Sequence, residues 1–127
     1  MTIHERGETV RREVLGDDYV DESAATTNDF NAPFRDLLTR YAWGEVWSRD
    51  GLDRRGRSLV TLAILTALGR FDELELHVAA ARTNGVSVDE IREVLLQCAV
   101  YCGLPAARTA FTIAERVLTD RGDLERP

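Results

Sequence analysis

The sequence predicts an all-α fold in which about six helices pack antiparallel to their neighbours. Apolar residues recur at spacings of three and four along most of the chain, and no long segment alternates apolar and polar residues at period two. Short connections, several of them marked by a glycine, join the helical segments. At 127 residues the chain is expected to form one domain over residues 1–127, with residues 1–27 as an N-terminal arm.

The N-terminal third of the chain is predicted to be its least regular part. Residues 1–27 are mostly polar, and one short helix is expected around residues 8–15. Residues 16–28 are expected to be extended or irregular. The first firm helix is predicted for residues 32–43, and it can continue past Gly44.

The next predicted helix begins after a cap at Asp53 and ends at Gly69. From Leu59 to Leu68 it is apolar almost all round, a pattern typical of a helix that is buried on several sides. A chain of this length has few elements with which to bury such a helix. We therefore expect another subunit to cover it, in a homo-oligomer.

Three more helices are predicted after that glycine. The first covers about residues 70–84. A capping box formed by Ser87 and Glu90 begins the second, and Pro105 starts the third. The second carries an apolar stripe made of Val88, Ile91, Leu95, Cys98 and Cys102. Its two cysteines are four residues apart on one helix, which favours small core residues over a disulfide or a metal site.

Charge and composition argue against several classes of function. The chain has 16 basic and 22 acidic residues and a net charge of −6, so we expect neither nucleic acid nor an acidic membrane as a partner. The longest apolar run, residues 59–68, is far shorter than the roughly 20 residues that cross a bilayer. The polar start does not resemble a signal peptide, and two cysteines are too few for a disulfide framework. The expected location is a reducing cytoplasm.

The strongest candidate for chemistry is His77, on the apolar face of its predicted helix. Glu73 lies one turn earlier and Arg70 two turns earlier, so the three fall within roughly 60° of one another. A carboxylate four residues from an imidazole can accept its N–H and fix its tautomer, as a general acid or base requires. The alternatives are an ordinary core histidine and a surface pair of little energetic weight.

A second cluster is basic and aromatic. Four arginines crowd one short stretch: Arg49, Arg54, Arg55 and Arg57. Arginine binds a carboxylate through two parallel hydrogen bonds, so Arg49 or Arg57 is a candidate substrate clamp, with a solvated face as the alternative. Trp43 and Trp47 lie at helical spacing, as in a core, an interface or a pocket wall. Tyr101, near the end of its helix, is either a half-buried anchor or a hydroxyl that touches substrate.

The residues alone do not name a reaction. No glycine-rich phosphate loop, catalytic serine motif or metal-binding cluster is visible in the sequence. Five segments together, however, resemble the carboxymuconolactone decarboxylase family. They are VRREVLG from Val10, YAWGEVWSR from Tyr41, GLDRRGRSL from Gly51, ELELH from Glu73 and VYCGLPAA from Val100. The resemblance extends from about residue 6 to residue 119, and the tryptophan and histidine segments are its most specific parts.

The resemblance implies an alkylhydroperoxidase-like helical fold and a ring-like homo-hexamer. It further implies decarboxylation of 4-carboxymuconolactone to the β-ketoadipate enol-lactone in protocatechuate catabolism, with neither cofactor nor metal. Protonated His77, held by Glu73, is expected to stabilise the developing oxyanion, to protonate the ring carbon, or both. The expected substrate-binding residues are Arg49, Arg57, Arg70, Trp47 and Tyr101.

Two alternatives stay open beside this function. Alkylhydroperoxidase-like members of the family carry Cys-x-x-Cys-x-x-x-His on the helix of the histidine. If His77 matches that histidine, the cysteine positions hold Arg70 and Glu73 here, which disfavours a thiol peroxidase. The second alternative is a non-catalytic small-molecule-binding oligomer. It rests on two departures from the decarboxylases: Tyr19, where they tend to have histidine, and Asp50, where they often have proline.

Overall fold

The computed structural model describes residues 1–127 and contains helices but no strand, which confirms the all-α prediction. There are seven α-helices and one π-helix, where about six helices were expected. In chain order they are α1 (Ile3–Leu15), α2 (Asp17–Ala25), α3 (Ala32–Leu38), the π-helix (Thr39–Trp47), α4 (Arg54–Leu68), α5 (Phe71–Thr83), α6 (Val88–Cys102) and α7 (Leu104–Asp120). None of the helices combines the length and the hydropathy of a membrane-spanning segment. The chain divides into two compact units, Met1–Asp53 and Arg54–Pro127.

The prediction of an irregular stretch over residues 16–28 was wrong, because residues 17–25 form α2. Gly16 has a φ of 91°, a conformation that suits glycine and lets the chain turn at once from α1 into α2. Two aspartates in the first turn of α2 favour the positive end of the helix dipole. Arg12 of α1 then binds Asp17 at 3.0 Å and Asp21 at 2.8 Å, so the two helices are held by ion pairs.

Helix α1 packs closely against the π-helix within the first unit, at two glycines. Gly7 is buried with its Cα facing the Thr39 carbonyl, and a Cβ added at Gly44 would lie 2.5 Å from the Ile3 carbonyl oxygen. Neither position has room for a side chain. The absence of a Cβ at both positions therefore permits the close approach of the two helices.

The firm helix predicted for residues 32–43 is confirmed and continues past Gly44, but its second half is wound as a π-helix. The Gly44 carbonyl accepts from the Ser48 hydroxyl at 2.5 Å and from Arg6 Nε at 3.3 Å. Side chains thus satisfy a carbonyl near the end of the π-helix, where the regular backbone pattern runs out.

The second unit is a bundle of the four helices α4 to α7. Its buried core is apolar and draws on every helix: Leu62, Leu74, Val78, Ala81, Val86, Ile91, Leu95, Ala110, Ala114 and Leu118. Ser58 near the start of α4 accepts from Asn84 at the end of α5 at 2.9 Å, so these helices are antiparallel. Arg55 pairs with Glu90, which places the starts of α4 and α6 at the same end of the bundle. Consecutive helices are therefore antiparallel, as predicted.

The predicted helix ends in the second unit are confirmed. Gly69, Gly85 and Gly103, which follow α4, α5 and α6, all have positive φ. The capping box is complete, with Glu90 N–H donating to the Ser87 hydroxyl at 3.0 Å and Ser87 N–H donating to the Glu90 carboxylate at 2.9 Å. Local chemistry therefore bounds these helices before any long-range packing is considered.

Candidate functional site

His77 lies in the middle of α5, in the second unit, and its side chain is half-buried. Its neighbours Leu74 and Val78 are fully buried, so the imidazole sits at the edge of the core. Burial lowers the pKa of His77 below its ordinary value of 6.5, and the opposing charge of Glu73 raises the pKa by less. The lowered pKa favours the neutral imidazole in the substrate-free protein, whereas the proton transfer predicted from the sequence requires the protonated form.

Glu73 and Arg70 occupy the start of the same helix. Arg70 is the exposed N-cap residue of α5, and Glu73 is an exposed carboxylate in its first turn. A carboxylate at this position interacts favourably with the positive end of the helix dipole. Glu73 and His77 thus lie one turn apart on α5, from an exposed carboxylate to a half-buried imidazole, and Arg70 immediately precedes the helix.

Arg57 is a half-buried residue of α4, next to the Ser58 that bonds to Asn84. That hydrogen bond places Arg57 beside the end of α5, roughly 10 Å along the helix axis from His77 at about 1.5 Å per residue. Arg57 and His77 therefore belong to one helical hairpin.

Tyr101 lies elsewhere in the second unit. Its side chain is 80% exposed, one turn beyond Cys98, whose thiol is hydrogen-bonded to Thr66 near the end of α4. Arg57 is near the opposite end of α4, so the structure does not bring Tyr101 and Arg57 together within this unit. A pocket wall made by Tyr101 is not formed by these four helices.

Trp47 and Arg49 belong to the first unit, at the end of the π-helix. Trp43 is 4% exposed, and Trp47 stacks on it with ring centroids 5.0 Å apart, so Trp43 is core and Trp47 is half-buried beside it. Arg49 lines an open, polar cavity of about 460 Å³. The other residues around that cavity are Arg6, Gly44, Glu45, Ser48, Asp50 and Gly51.

Arg6 is a second cation at this cavity that the sequence did not indicate. It comes from α1 and donates to the Gly44 carbonyl, 38 residues away in the chain. Its position follows from the packing of α1 on the π-helix, for which the glycines at positions 7 and 44 are the only local sign. The cavity therefore brings together two guanidinium groups and the carboxylates of Glu45 and Asp50.

Cys98 fits the core role predicted for the two cysteines, whereas Cys102 is half-buried at the end of α6. Cys98 is 4% exposed, and burial raises the pKa of its thiol. A thiol with a raised pKa has little thiolate at neutral pH and is a poor nucleophile. The environment of Cys98 therefore disfavours peroxide chemistry at this thiol.

Comparison with known proteins gives a family match. Residues 32–116 match the model of the carboxymuconolactone decarboxylase family. The chain is similar to a 4-carboxymuconolactone decarboxylase of Acinetobacter baylyi, with 51% identity over 94% of this chain and 89% of that protein. It is also similar to the nitrosuccinic acid decarboxylase npaB of Metarhizium robertsii, with 40% identity over 98% of this chain and 90% of that protein. A 4-carboxymuconolactone decarboxylase of Pseudomonas putida is 45% identical over 33% of this chain and 88% of its own length.

Proposed function

We propose that this chain, which belongs to the carboxymuconolactone decarboxylase family, is a carboxy-lyase. Its proposed reaction converts 4-carboxymuconolactone to the β-ketoadipate enol-lactone. The observation that carries the proposal is His77, a half-buried imidazole with the Glu73 carboxylate one turn away on α5. The 51% identity to a decarboxylase of that name supports the choice of substrate. The proposed setting is protocatechuate catabolism in a bacterial cytoplasm.

The chemistry of the substrate limits what the protein must supply. The ring carbon that bears the carboxymethyl arm also carries the carboxylate that is lost as CO₂. The electron pair of the broken C–C bond moves through the ring double bond onto the lactone carbonyl, and the resulting dienolate takes up one proton at the carbon next to that carbonyl. Because the ring is the electron sink, the protein needs only to stabilise the oxyanion and to deliver the proton. The proposed reaction uses no cofactor.

His77 is the proposed proton donor, and Glu73 its positioning residue. Burial keeps His77 neutral before substrate arrives. A bound dianion adds negative charge beside the imidazole, which raises the pKa of His77 and draws a proton onto the ring. The charge of Glu73 acts in the same direction. Binding of substrate itself thus prepares His77 for the proton transfer.

The remaining proposed roles are in substrate binding. Arg57 and Arg70, on the α4–α5 hairpin, are proposed to bind the substrate carboxylates through paired hydrogen bonds. Arg49 and Trp47 of the first unit and Tyr101 of α6 keep the binding roles predicted for them on the grounds of their chemistry.

The experiment that tests the proposal is turnover of 4-carboxymuconolactone by the wild type and by His77→Ala. We expect the variant to lose at least roughly a hundredfold in kcat, the low end of general acid catalysis. His4→Ala is the matched control, since His4 is exposed in the first unit and its substitution is expected to leave turnover unchanged. Unchanged turnover in a folded His77→Ala protein removes His77 from the mechanism, and no turnover by the wild type removes the substrate.

Nitrosuccinate is a second candidate substrate, and the 40% identity to a nitrosuccinic acid decarboxylase favours it. A nitro group can accept the electron pair left by CO₂ as the lactone ring does, so the same imidazole would serve both reactions. Comparing kcat/KM for the two substrates decides between them. We expect the lactone to be preferred, because the relative that acts on it is the more similar of the two.

A homo-oligomer is part of the proposal. Three apolar residues of α4 are exposed at four-residue spacing: Val60, Ile64 and Leu68. On α6, Leu96 and Val100 are exposed at the same spacing. Apolar stripes on two helices are more than a monomer usually leaves in water, which supports burial against other copies of the chain. The ring-like hexamer remains an inference from the family resemblance.

A further inference from the structure

A cavity of about 220 Å³ lies among α1, α2 and α3 in the first unit. It contains none of the residues proposed for decarboxylation. Its charged and hydroxyl-bearing lining includes Arg11, Ser23, Thr27 and Arg35, and its apolar lining includes Val20 and Ala32.

Arg11 is an unusual lining residue because it is only 7% exposed. Its Nη2 donates to the Ser23 hydroxyl at 3.3 Å, while its buried Nε has no hydrogen-bond partner. The guanidinium carbon lies 5.9 Å from the centroid of the Tyr19 ring. None of these contacts supplies a negative charge, and a buried cation is costly without one.

Arg35 enters the same cavity from α3. It donates to both the carbonyl and the hydroxyl of Ser23, the latter at 2.7 Å, and to the hydroxyls of Thr26 and Thr27. All of these acceptors are neutral. Two guanidinium groups therefore converge on Ser23, and no carboxylate pairs with either of them.

The carboxylates that also line the cavity are already engaged. Glu8 pairs with Arg12 at 2.9 Å, and Asp36 pairs with Arg40 at 2.9 Å and lies 3.6 Å from His4. Each of these carboxylates pairs with a cation outside the Arg11–Arg35 pair, and neither pairs with Arg11 or Arg35. The buried end of the cavity therefore holds two guanidinium groups that no carboxylate pairs with.

We infer that this cavity is a binding site for a small organic monocarboxylate. Its carboxylate would lie between Arg11 and Arg35, where the free Nε–H of Arg11 can donate to it, and its carbon skeleton would contact Val20 and Ala32. The nearby carboxylates of Glu8 and Asp36 disfavour a dianion such as phosphate. The apolar part of the lining favours an organic acid over an inorganic ion.

The test is a titration of the full-length protein with butyrate, followed by saturation-transfer NMR on the ligand. Butyramide, with the same skeleton and no charge, and inorganic phosphate are the comparison ligands. The variants are Arg11→Met, which removes the buried cation, and Ala32→Leu, which fills the cavity and leaves both arginines in place. Arg126→Met is the control for loss of an exposed arginine, and Arg49→Met/Arg57→Met removes arginines of the candidate catalytic site.

We expect saturable binding of butyrate by the wild type, by Arg126→Met and by Arg49→Met/Arg57→Met. Arg11→Met and Ala32→Leu should each weaken it at least tenfold, and butyramide and phosphate should bind at least tenfold more weakly than butyrate. If Arg11→Met does not fold, Ala32→Leu decides alone. Absence of saturable binding, equal binding by Ala32→Leu, or a preference for phosphate overturns the inference. Because the readout is binding, it is independent of whether the protein decarboxylates a lactone.

Discussion

At His77, two opposed effects decide the charge of one side chain. Burial removes water from the imidazole and lowers its pKa, and this effect exceeds the pull of the Glu73 carboxylate in the other direction. In the unfolded chain the same residue titrates near 6.5. The contribution of neutral His77 to the free energy of unfolding is therefore fully present above pH 6.5. That contribution is lost as the pH falls toward the lower pKa of His77 in the folded protein.

The first prediction concerns the pH dependence of catalysis. If His77 is the proton donor, kcat/KM should fall as the pH rises through the lowered pKa of the free protein, that is, from below 6.5 upward. The fall in kcat should lie at higher pH, because bound anionic substrate raises the pKa of the imidazole. Profiles of kcat and of kcat/KM from pH 5 to pH 9 measure the two falls. A value of kcat/KM that instead falls on the acid side would assign the active form to the neutral imidazole.

The second prediction concerns the arginines. Arg49→Met and Arg57→Met should each raise KM by roughly tenfold or more while kcat changes less, because a hydrogen bond to a charged group contributes about 1.5–3 kcal/mol to binding. Arg126→Met is the control, since Arg126 is exposed and bonds only to Asp120. Initial-rate saturation curves supply both constants. Normal saturation in either variant excludes that arginine as a carboxylate ligand.

At the scale of elements, the π-helix is the feature that most affects the cavity at Arg49 in the first unit. Its last turn carries Trp47, and Arg49 follows directly at the 460 Å³ cavity. Close packing of α1 accompanies this geometry and brings Arg6 to the same cavity. The two neighbouring elements thus position one aromatic ring and two cations.

The third prediction tests that packing. Gly44→Ala should destabilise the protein by about 1–3 kcal/mol, the usual cost of overpacking, because its Cβ would collide with the Ile3 backbone. Gly51→Ala is the matched control, with nothing within 4 Å of its added Cβ, and should change stability by less than about 0.5 kcal/mol. Urea unfolding followed by circular dichroism gives both values. Equal midpoints for the two variants would show that the contact has no energetic weight.

For the whole molecule, the distribution of apolar surface is the main observation. Helix α4 buries Leu62 and Thr66 in the second unit, yet Val60, Ile64 and Leu68 on its other side are about half exposed or more. The sequence predicts that α4 is buried on several sides. Within its own chain, only one side of this helix is buried. Another copy is the proposed cover for the rest.

The fourth prediction follows from that surface. Ile64→Glu should raise the protein concentration needed for self-association at least roughly tenfold, because an ionised carboxylate in an apolar interface is costly to desolvate. Thr112→Glu, at an exposed position of α7, is the control. Sedimentation velocity over a range of concentrations measures both. A monomeric wild type, or an Ile64→Glu protein that associates like the wild type, contradicts the proposed interface.

Signals that act within about four residues were readable from the sequence. The glycines at positions 69, 85 and 103, the Ser87–Glu90 capping box and the apolar spacing of α5 to α7 set the helix boundaries and the core face, because their chemistry is local. The placement of Glu73 one helical turn before His77 follows from helical geometry in the same way. The same limit explains why α2 was not predicted. Its ion pairs to Arg12 form only because α1 ends at Gly16 and the chain turns there.

The tertiary structure alone decided the features that depend on distant partners. The apolar face of α5 indicated that His77 lies near the core, but the lowered pKa of His77 depends on how much the other helices cover it. Arg6 reaches the cavity of Arg49 because α1 packs on a segment 38 residues away. The convergence of Arg11 and Arg35 on Ser23 likewise joins three helices. Desolvation and charge proximity are properties of the assembled chain, so they appear only when the helices have met.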